Sequence, residues 1–168
     1  MDPAALMDRE GRSAPSSRRR ARELGLTLIE LLIVIALLGI IAAIVVPAIY
    51  QQIERIKVRR AIADLVLIEF AVERYEDEND SLPESFDDLA QAPRIDPWGR
   101  AYVYFKFGGP GWRGRARKDR FLVPINSTFD LYSIGRDGDS RPPLQNPKSL
   151  DDIVRANDGA FYGLGRDF

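Results

Sequence analysis

A single charged side chain, the carboxylate of Glu30, interrupts an otherwise apolar run that extends from Leu26 to Tyr50. A carboxylate inside lipid costs about 2.5–3.5 kcal/mol on insertion scales, so such a group normally has a partner. Two alternatives remain open from the residues alone. Glu30 either reaches water at the membrane interface, or it pairs with a cation that follows the helix into lipid. Cleavage of the chain after Gly25 would create such a cation, the free α-amino group of Leu26.

Four further carboxylates cluster near the C-terminal end of the chain, in a segment rich in glycine and proline. Asp137 and Asp139 lie two positions apart in a glycine-containing loop, and Asp151 and Asp152 follow a proline-rich excursion. A calcium ion (Ca²⁺) prefers about six to eight oxygen ligands, and a loop can wrap carboxylates, carbonyls and hydroxyls around it. The spacing does not match the EF-hand pattern, so the residues predict a calcium site without specifying its ligands.

The same segment also has a purely structural interpretation. Asp137–Gly138 is a typical turn, and Ser149 with Asp152 three positions later has the spacing of a helix capping box. That pattern predicts a helix that continues to about Asn157 and ends at Gly159. From the residues alone, a metal site and a turn followed by a helix both remain open.

The composition excludes several kinds of chemistry. The chain has 168 residues, no cysteine, no histidine and a formal net charge of −1. Without cysteine, neither a disulfide nor a thiolate metal site is possible. Without histidine, the commonest general base and the commonest zinc ligand are missing, and the remaining residues form no obvious catalytic constellation, so we predict no enzyme. A net charge near zero gives no reason to expect nucleic acid as a partner.

The element that positions Glu30 is a long predicted helix. The apolar run 26–50 exceeds the ~18 residues that mark a membrane-spanning segment. Residues 51–78 continue it without a break and carry apolar side chains every three or four positions, which is helical spacing with one stripe facing a partner. These positions are Val58, Ile62, Leu65, Ile68, Val72 and Tyr75. We predict one helix from about Leu26 to about Glu78, with Pro47 able to bend it.

Residues 1–25 are predicted to be a leader that is removed. Arginines cluster at 18–22, next to the apolar run. The positive-inside tendency then places this end in the cytoplasm and exports the C-terminus. The alternatives are an ordinary signal peptide, whose apolar core is shorter, and an uncleaved signal anchor, which does not explain why a glycine, a glutamate and a proline occur together. Either Met1 or Met7 could start the chain.

The remainder of the chain, residues 79–168, is predicted to form a small head. Asp96–Gly99 is a turn signal, and three runs rich in aromatic and β-branched residues follow it. We expect strands at 101–106, 120–125 and 129–134, forming an antiparallel sheet with one face on the long helix. The predicted fold class is therefore α+β.

Residues 108–120, between the first two predicted strands, are rich in glycine and arginine. One interpretation is a flexible, solvated hairpin loop. The other is a surface for an acidic neighbour, an anionic polymer or DNA, with Trp112 stacking among the arginines. A loop this short would support only weak and strongly salt-dependent binding to an anionic polymer.

The N-terminal segment resembles that of type IV pilins and of the pseudopilins of type II secretion. The family signal is a glycine, a cleavage site, a hydrophobic residue, the run T-L-I-E-L-L-I-V-I-A and a later proline, here Gly25, Leu26, 27–36 and Pro47. Leu26 is a departure, since the family most often has phenylalanine there. The resemblance implies cleavage after Gly25 by a prepilin peptidase and methylation of the new amine at Leu26. It also implies that Glu30 pairs with that amine on a neighbouring subunit.

A second resemblance lies in the head. Major pseudopilins carry a D-P-W-G turn before their first strand and end their last long strand in S-x-G-x-D-G, followed later by an acidic residue and an isoleucine. Together these residues form a calcium-binding loop. The matching residues here are Ser133, Gly135, Asp137, Gly138, Asp152 and Ile153. The implied calcium ligands are the side chains of Asp137 and Asp152 and carbonyls near Leu131 and Ser133, with Asp139 and Asp151 as the next candidates.

Two segments depart from the family pattern. The basic loop 108–120 is longer and more basic than the compact hairpin expected of a major pseudopilin. Arg141–Pro143 replaces a glycine-rich, acidic loop in the region that resembles the calcium site.

The residues and the resemblance together predict a structural filament subunit of pilin-like fold. It would consist of a leader 1–25, a transmembrane and assembly segment 26–50 and a globular domain 51–168. In a type II secretion-like system, copies would form a periplasmic filament that moves folded proteins across the outer membrane. The implied partners are the prepilin peptidase, minor pseudopilins and an inner-membrane assembly platform. The alternatives are a pilin or minor pilin of a surface fibre, a DNA-uptake pseudopilin and a bitopic membrane enzyme or sensor.

Overall fold

The computed structural model describes residues 26–168 of the chain. The predicted leader 1–25, with Gly25 and the arginines at 18–22, lies outside the described residues. The described residues divide into two units, the first ending at Ala43 and the second being Ile44–Phe168.

Helix α1 extends from Leu28 to Asn79, which confirms the prediction of one continuous helix. Thr27 caps its first turn, because its Oγ1 accepts the N–H of Glu30 at 3.2 Å and its carbonyl accepts the N–H of Leu31 at 3.1 Å. A side-chain acceptor at this position satisfies an amide that has no partner inside the helix. Among the described residues, α1 is the one helix that is long and apolar enough to cross a membrane.

The second half of α1 is amphipathic, as its spacing predicts. Ala61, Leu65, Ile68 and Val72 are fully buried at intervals of three or four residues. Each large side chain in such a stripe contributes about 1.5–3 kcal/mol when it leaves water. Three other predicted stripe residues are partly buried against the same core, namely Val58, Ile62 and Tyr75.

A four-stranded antiparallel sheet within residues 44–168 packs on this stripe. Its strands follow one another in space in their chain order. They are β1 (Val103–Lys106), β2 (Phe129–Ser133), β3 (Ile153–Ala156) and β4 (Phe161–Leu164). The fold is α+β and pilin-like, as predicted, with one strand more than the three expected.

The predicted strand at 120–125 is wrong. Arg120 has a left-handed backbone (φ 45°), and Asp119 and Leu122 bond to each other across a tight turn at 3.0 and 2.7 Å. A residue in the left-handed region cannot continue an extended strand, so the aromatic and β-branched residues of this run occupy a turn instead.

The predicted helix from Ser149 to about Asn157 is also wrong. Ser149 ends a short 3₁₀ helix, Pro147–Ser149, and its hydroxyl bonds to the backbone of Arg141 at 2.7 and 2.8 Å. The hydroxyl is therefore not available to cap a following helix. The residues after Asp152 enter β3, where Ile153 and Val154 suit a sheet that is buried on both faces.

Opposite faces of the sheet contact different cores. Leu131 and Ile153 face α1, while Val154 and Ala156 belong to a second cluster with Leu144. This alternation follows from the two-residue period of a strand. The second face is therefore covered by chain from the 116–146 region.

Short helical turns complete the connections in residues 26–168. One is an α-helix, α2 (Trp112–Arg115), and the others are 3₁₀ helices. The 3₁₀ helices span Phe86–Asp88, Pro147–Ser149, Asn157–Gly159 and Gly165–Asp167. Ser85 caps the first of them.

Three acidic residues on α1 accept side-chain hydrogen bonds from the head. Glu54 accepts the indole N–H of Trp98 at 3.1 Å, and Asp64 accepts the hydroxyl of Tyr102 at 2.8 Å. Further along, Glu69 accepts the guanidinium of Arg155. The tryptophan of the D-P-W-G turn thus joins the turn to the helix.

Candidate functional site

The first turn of α1 presents the predicted assembly residues at its surface. Leu26 is 73% exposed, and Glu30 is exposed as well. In the described part of the chain, no cationic side chain forms an ion pair with Glu30. The helix dipole stabilises a carboxylate near the N-terminal end of a helix by about 0.3–1 kcal/mol, and Glu30 lies in the first turn of α1. The carboxylate can still pair with a cation.

The structure assigns Thr27 a function that the sequence analysis overlooked. Thr27 and Glu30 have the T-x-x-E spacing of a capping box, and the threonine half of that box is formed. The signal was therefore present in the sequence.

Pro47 lies inside α1, where it lacks the N–H that would bond to the carbonyl of Ala43, the last residue of the first unit.

Asp152, the central predicted calcium ligand, is fully buried and already has a cationic partner. Its Oδ2 accepts a hydrogen bond from Nη2 of Arg117 and another from the hydroxyl of Ser140 at 2.6 Å. Burial raises the pKa of Asp152 above its ordinary value, and the charge of Arg117 opposes that rise. Arg117 itself is only 2% exposed.

The other predicted side-chain ligands bond to backbone amides or to lysine. Oδ2 of Asp151 accepts the N–H groups of Arg136 and Asp137 at 2.8 and 2.9 Å. Oδ1 of Asp137 accepts the N–H of Asp139 at 2.8 Å. Asp139 is paired with Lys148, and the hydrogen bond from that lysine lowers the pKa of the carboxyl.

Leu131 and Ser133 lie on β2 and are both buried. Leu131 packs in the core beside α1. The hydroxyl of Ser133 donates to Oδ2 of Asp96 at 2.6 Å and accepts the N–H of Gly135 at 3.1 Å. These contacts fix the start of the loop but bring no carboxylate from 137–152 to Ser133.

The predicted ligand set therefore does not fit a calcium site in this arrangement. In residues 26–168, no group of three or more acidic side chains is placed to hold a metal ion. Each of the four carboxylates near the loop has donors from the chain itself. Calcium binding stays a prediction that rests on the resemblance alone.

Two arginines that the sequence analysis did not single out supply cations to this loop. Arg100 donates to the carbonyls of Gly135 and Arg136 at 2.6 and 3.2 Å. Arg117, which comes from the basic loop 108–120, donates to Asp152 at the other end of this loop. No local pattern marks either residue, because their acceptors lie about 35 positions further along the chain.

Two exposed arginines of the basic loop 108–120 lie against half-buried aromatic rings at its start. The rings of Phe107 and Trp112 stack at 4.7 Å, and Arg113 lies 5.0 Å from the Trp112 ring. Arg115 lies 4.4 Å from the ring of Phe105. These contacts order a segment that could otherwise be a free loop.

Comparison with known proteins supports the resemblance at both ends of the chain. The family profile described as "Prokaryotic N-terminal methylation motif" matches residues 20–46, which include Gly25 and Glu30. No solved structure matches the chain significantly.

Several curated relatives match more than two thirds of the chain. The type II secretion system core protein G of Pseudomonas aeruginosa is 30% identical over an alignment of 141 residues, and the match covers 71% of this chain and 88% of the relative. The protein of the same name from Klebsiella pneumoniae is 32% identical over an alignment of 139 residues, and the match covers 79% of this chain and 93% of the relative. That of Escherichia coli is 27% identical over 143 residues, with 73% and 88% covered.

These alignments are much longer than the methylation motif at residues 20–46. The chain belongs to the type II secretion system core protein G family, the major pseudopilins.

Proposed function

We propose that this chain is a structural subunit of a type II secretion pseudopilus, a periplasmic filament that drives the export of folded proteins across the outer membrane. The observation that carries the proposal is the first half of α1. Its large apolar side chains from Leu28 to Ile49 are 44–78% exposed. An apolar surface of this extent needs a membrane or neighbouring subunits to cover it.

Assembly would begin with processing at the N-terminus. A prepilin peptidase would cut after Gly25 and leave a new amine, to be methylated, on Leu26. That amine would then pair with Glu30 of a neighbouring subunit. Support comes from the exposed Glu30 carboxylate, which has no ion-pair partner among residues 26–168.

Pairing of an amine on one copy with Glu30 on the next is a heterologous contact. A heterologous contact that repeats without closing produces a filament. The pairing would also set the axial register, since each subunit would be held at the same distance from its neighbour. It would remove the cost of burying Glu30 alone in an apolar environment.

The long apolar helix and the prepilin motif fit an inner-membrane-anchored pseudopilin. We propose that the N-terminus faces the cytoplasm and that the globular domain lies in the periplasm. Copies of this chain would be the main partners, with minor pseudopilins and the inner-membrane assembly platform as the others. The relatives are structural pseudopilins, and we assign no bond-making chemistry to this chain.

DNA is a weaker candidate partner for the basic loop than its composition indicates. Arg117 is buried, while Arg113 and Arg115 lie over aromatic rings. Fewer free cations remain for phosphate contacts, and affinity for DNA scales with their number.

The experiment that tests the proposal is an intact-mass measurement of the full chain, extracted from the membranes of cells with an active prepilin peptidase. The expected mass is that of residues 26–168 with one methyl group added. A matched sample from cells without the peptidase should keep residues 1–25. If the leader is still attached in the presence of an active peptidase, the filament proposal fails.

A further inference from the structure

We propose that the guanidinium group of Arg117 is a built-in cation for the loop 134–152, and that it takes the place of the calcium ion that the family resemblance implies. The head would then fold and keep its loop ordered without calcium. This inference concerns the stability of the head and does not rest on the proposed filament function.

The first argument is the set of oxygens that Arg117 contacts. Its Nη2 donates to the carboxylate of Asp152, and its Nη1 donates to the hydroxyl of Ser140 at 2.6 Å and the carbonyl of Arg141 at 2.8 Å. A carboxylate, a hydroxyl and a backbone carbonyl are the three kinds of oxygen that calcium takes in a protein loop. The guanidinium therefore binds the same kinds of oxygen that a calcium ion would bind in this loop.

The second argument is burial. Arg117 is 2% exposed and Asp152 is fully buried, so neither charge is solvated. The guanidinium carbon lies 4.3 Å from the ring of Tyr132, which gives the cation an aromatic neighbour on β2. The backbone N–H of Arg117 donates to Asp130 at 2.6 Å and fixes the residue beside the sheet. Buried charges are retained in this way only when they are paired and hydrogen-bonded.

The third argument concerns two atoms that have no partner. Nε of Arg117 and Oδ1 of Asp152 are both buried and make no hydrogen bond. One is a donor and the other an acceptor, and they belong to the two members of the same ion pair. They are the atoms that the second bond of a side-on bidentate arginine–carboxylate pair would join. The acceptor without a partner therefore belongs to a carboxylate whose other oxygen already bonds to the arginine that carries the free donor.

Three further oxygen-bearing groups of the loop have donors from the chain. Arg100 holds the carbonyls of Gly135 and Arg136. Lys148 pairs with Asp139. A calcium ion at Asp152 would lie within a few ångströms of the Arg117 guanidinium, and like charges that close repel each other.

The fourth argument links the two segments in which this chain departs from the family pattern. Arg117 and Lys118 come from the basic loop 108–120. The N–H of Lys118 donates to the carbonyl of Pro142 at 3.0 Å, and its carbonyl accepts the N–H of Leu144 at 2.9 Å. The longer basic loop thus contacts the segment around Arg141–Pro143 directly. The basic loop provides the Arg117 guanidinium, and the segment around Arg141–Pro143 provides a backbone carbonyl that accepts its hydrogen bond.

The test is thermal unfolding of the full chain in detergent, with calcium chloride or with a calcium chelator. Fluorescence reports on the head, because both tryptophans, Trp98 and Trp112, lie there. We expect the same Tm for the wild type in calcium and in chelator. A Tm that is lower in chelator than in calcium would overturn the proposal.

The variant that tests the cation itself is Arg117→Gln, which should lower the Tm by about 10–20 °C, because a buried carboxylate that loses its partner is strongly destabilising. Arg117→Lys should retain part of the stability, since it keeps the positive charge but lacks the planar set of N–H donors of the guanidinium. The matched control is Arg136→Gln, an exposed arginine in the same loop, which should leave the Tm unchanged.

An Arg117→Gln variant with the wild-type Tm would contradict the proposal. If that variant fails to fold, the wild-type comparison of calcium with chelator still decides the question. Isothermal titration of calcium into the wild-type chain gives an independent readout. Saturable binding with one ion per chain would refute the inference, and no heat of binding would support it.

Discussion

Glu69 on α1 and Arg155 on β3 form a buried ion pair, with Nε of the arginine 2.7 Å from Oε1 of the glutamate. The two residues are 86 positions apart in the chain. The guanidinium also lies 4.2 Å from the ring of Phe129, while Oε2 of Glu69 is buried without a partner. The pair fixes the position of the third strand along the helix.

Substitution of Glu69 by glutamine should destabilise the head by up to about 3–5 kcal/mol, because the buried Arg155 then keeps only the more distant carboxylate of Asp158, at 3.7 Å. Chemical denaturation of the full chain in detergent, followed by tryptophan fluorescence, measures this loss. Glu73→Gln, one turn later on an exposed position of α1, is the matched control and should change stability by less than about 0.5 kcal/mol. Equal effects of the two substitutions would show that the buried pair does not stabilise the head.

Substitution of Gly135 by alanine should be among the most disruptive single changes in the loop. A Cβ at this position would lie 2.3 Å from the carbonyl oxygen of Asp151, and the backbone is left-handed with φ +66°. Gly109→Ala separates the two effects, because Gly109 has φ +70° and no atom within 4 Å of the added Cβ.

The control should therefore lose only the conformational cost, about 1–2 kcal/mol, and Gly135→Ala should lose clearly more. Parallel melting curves of the two variants provide the measurement. Similar losses would mean that the loop can move away from Asp151 at little cost.

The head should lose stability in alkali through Tyr102. Burial, with the hydrogen bond to Asp64, raises the pKa of Tyr102 above its ordinary value of 10.0. Above about pH 10 the unfolded chain releases the phenolic proton while the folded chain keeps it, so the free energy of unfolding falls as the pH rises. Below that pH the contribution is fully present.

Tyr102→Phe should reduce this alkaline loss by up to about 1.4 kcal/mol per pH unit, measured by denaturation at a series of pH values. The loss should not vanish, since burial also raises the pKa of Tyr104. An unchanged slope in Tyr102→Phe would refute the assignment.

Substitution of Glu30 by alanine should prevent filament assembly while leaving the head folded. Each 1.4 kcal/mol lost from a subunit contact weakens association about tenfold, and a repeated contact multiplies the effect. Overproduction followed by shearing and electron microscopy counts the fibres. Glu73→Ala removes a carboxylate from the same helix, at an exposed position outside the apolar segment, and should assemble normally.

The helix was predictable because its signals are local. An apolar run followed by apolar residues every three or four positions determines both the length of α1 and its buried stripe. The third and fourth strands were not predicted, since Ser149 and Asp152 have the spacing of a helix start. Their side chains instead bond to Arg141 and Arg117, and those partners are not sequence neighbours within helical reach.

The loop 134–152 shows where sequence reasoning stops. The residues predict either a calcium site or a turn followed by a helix. The helix is wrong, since Ile153–Ala156 form a strand, and calcium binding stays a prediction. The residues do not say which cation satisfies the loop, because Arg117 comes from a segment that looks like a solvated basic loop. Only the fold brings the two together.

The three acceptors on α1, Glu54, Asp64 and Glu69, have a mechanical consequence. They cover 15 residue steps of the helix, or about 22 Å at 1.5 Å per residue. A pull along the helix axis would load these three bonds and the apolar stripe between them in parallel, as a shear, instead of opening them one after another. Traction applied through the helix would therefore reach the head as a load shared along this whole length.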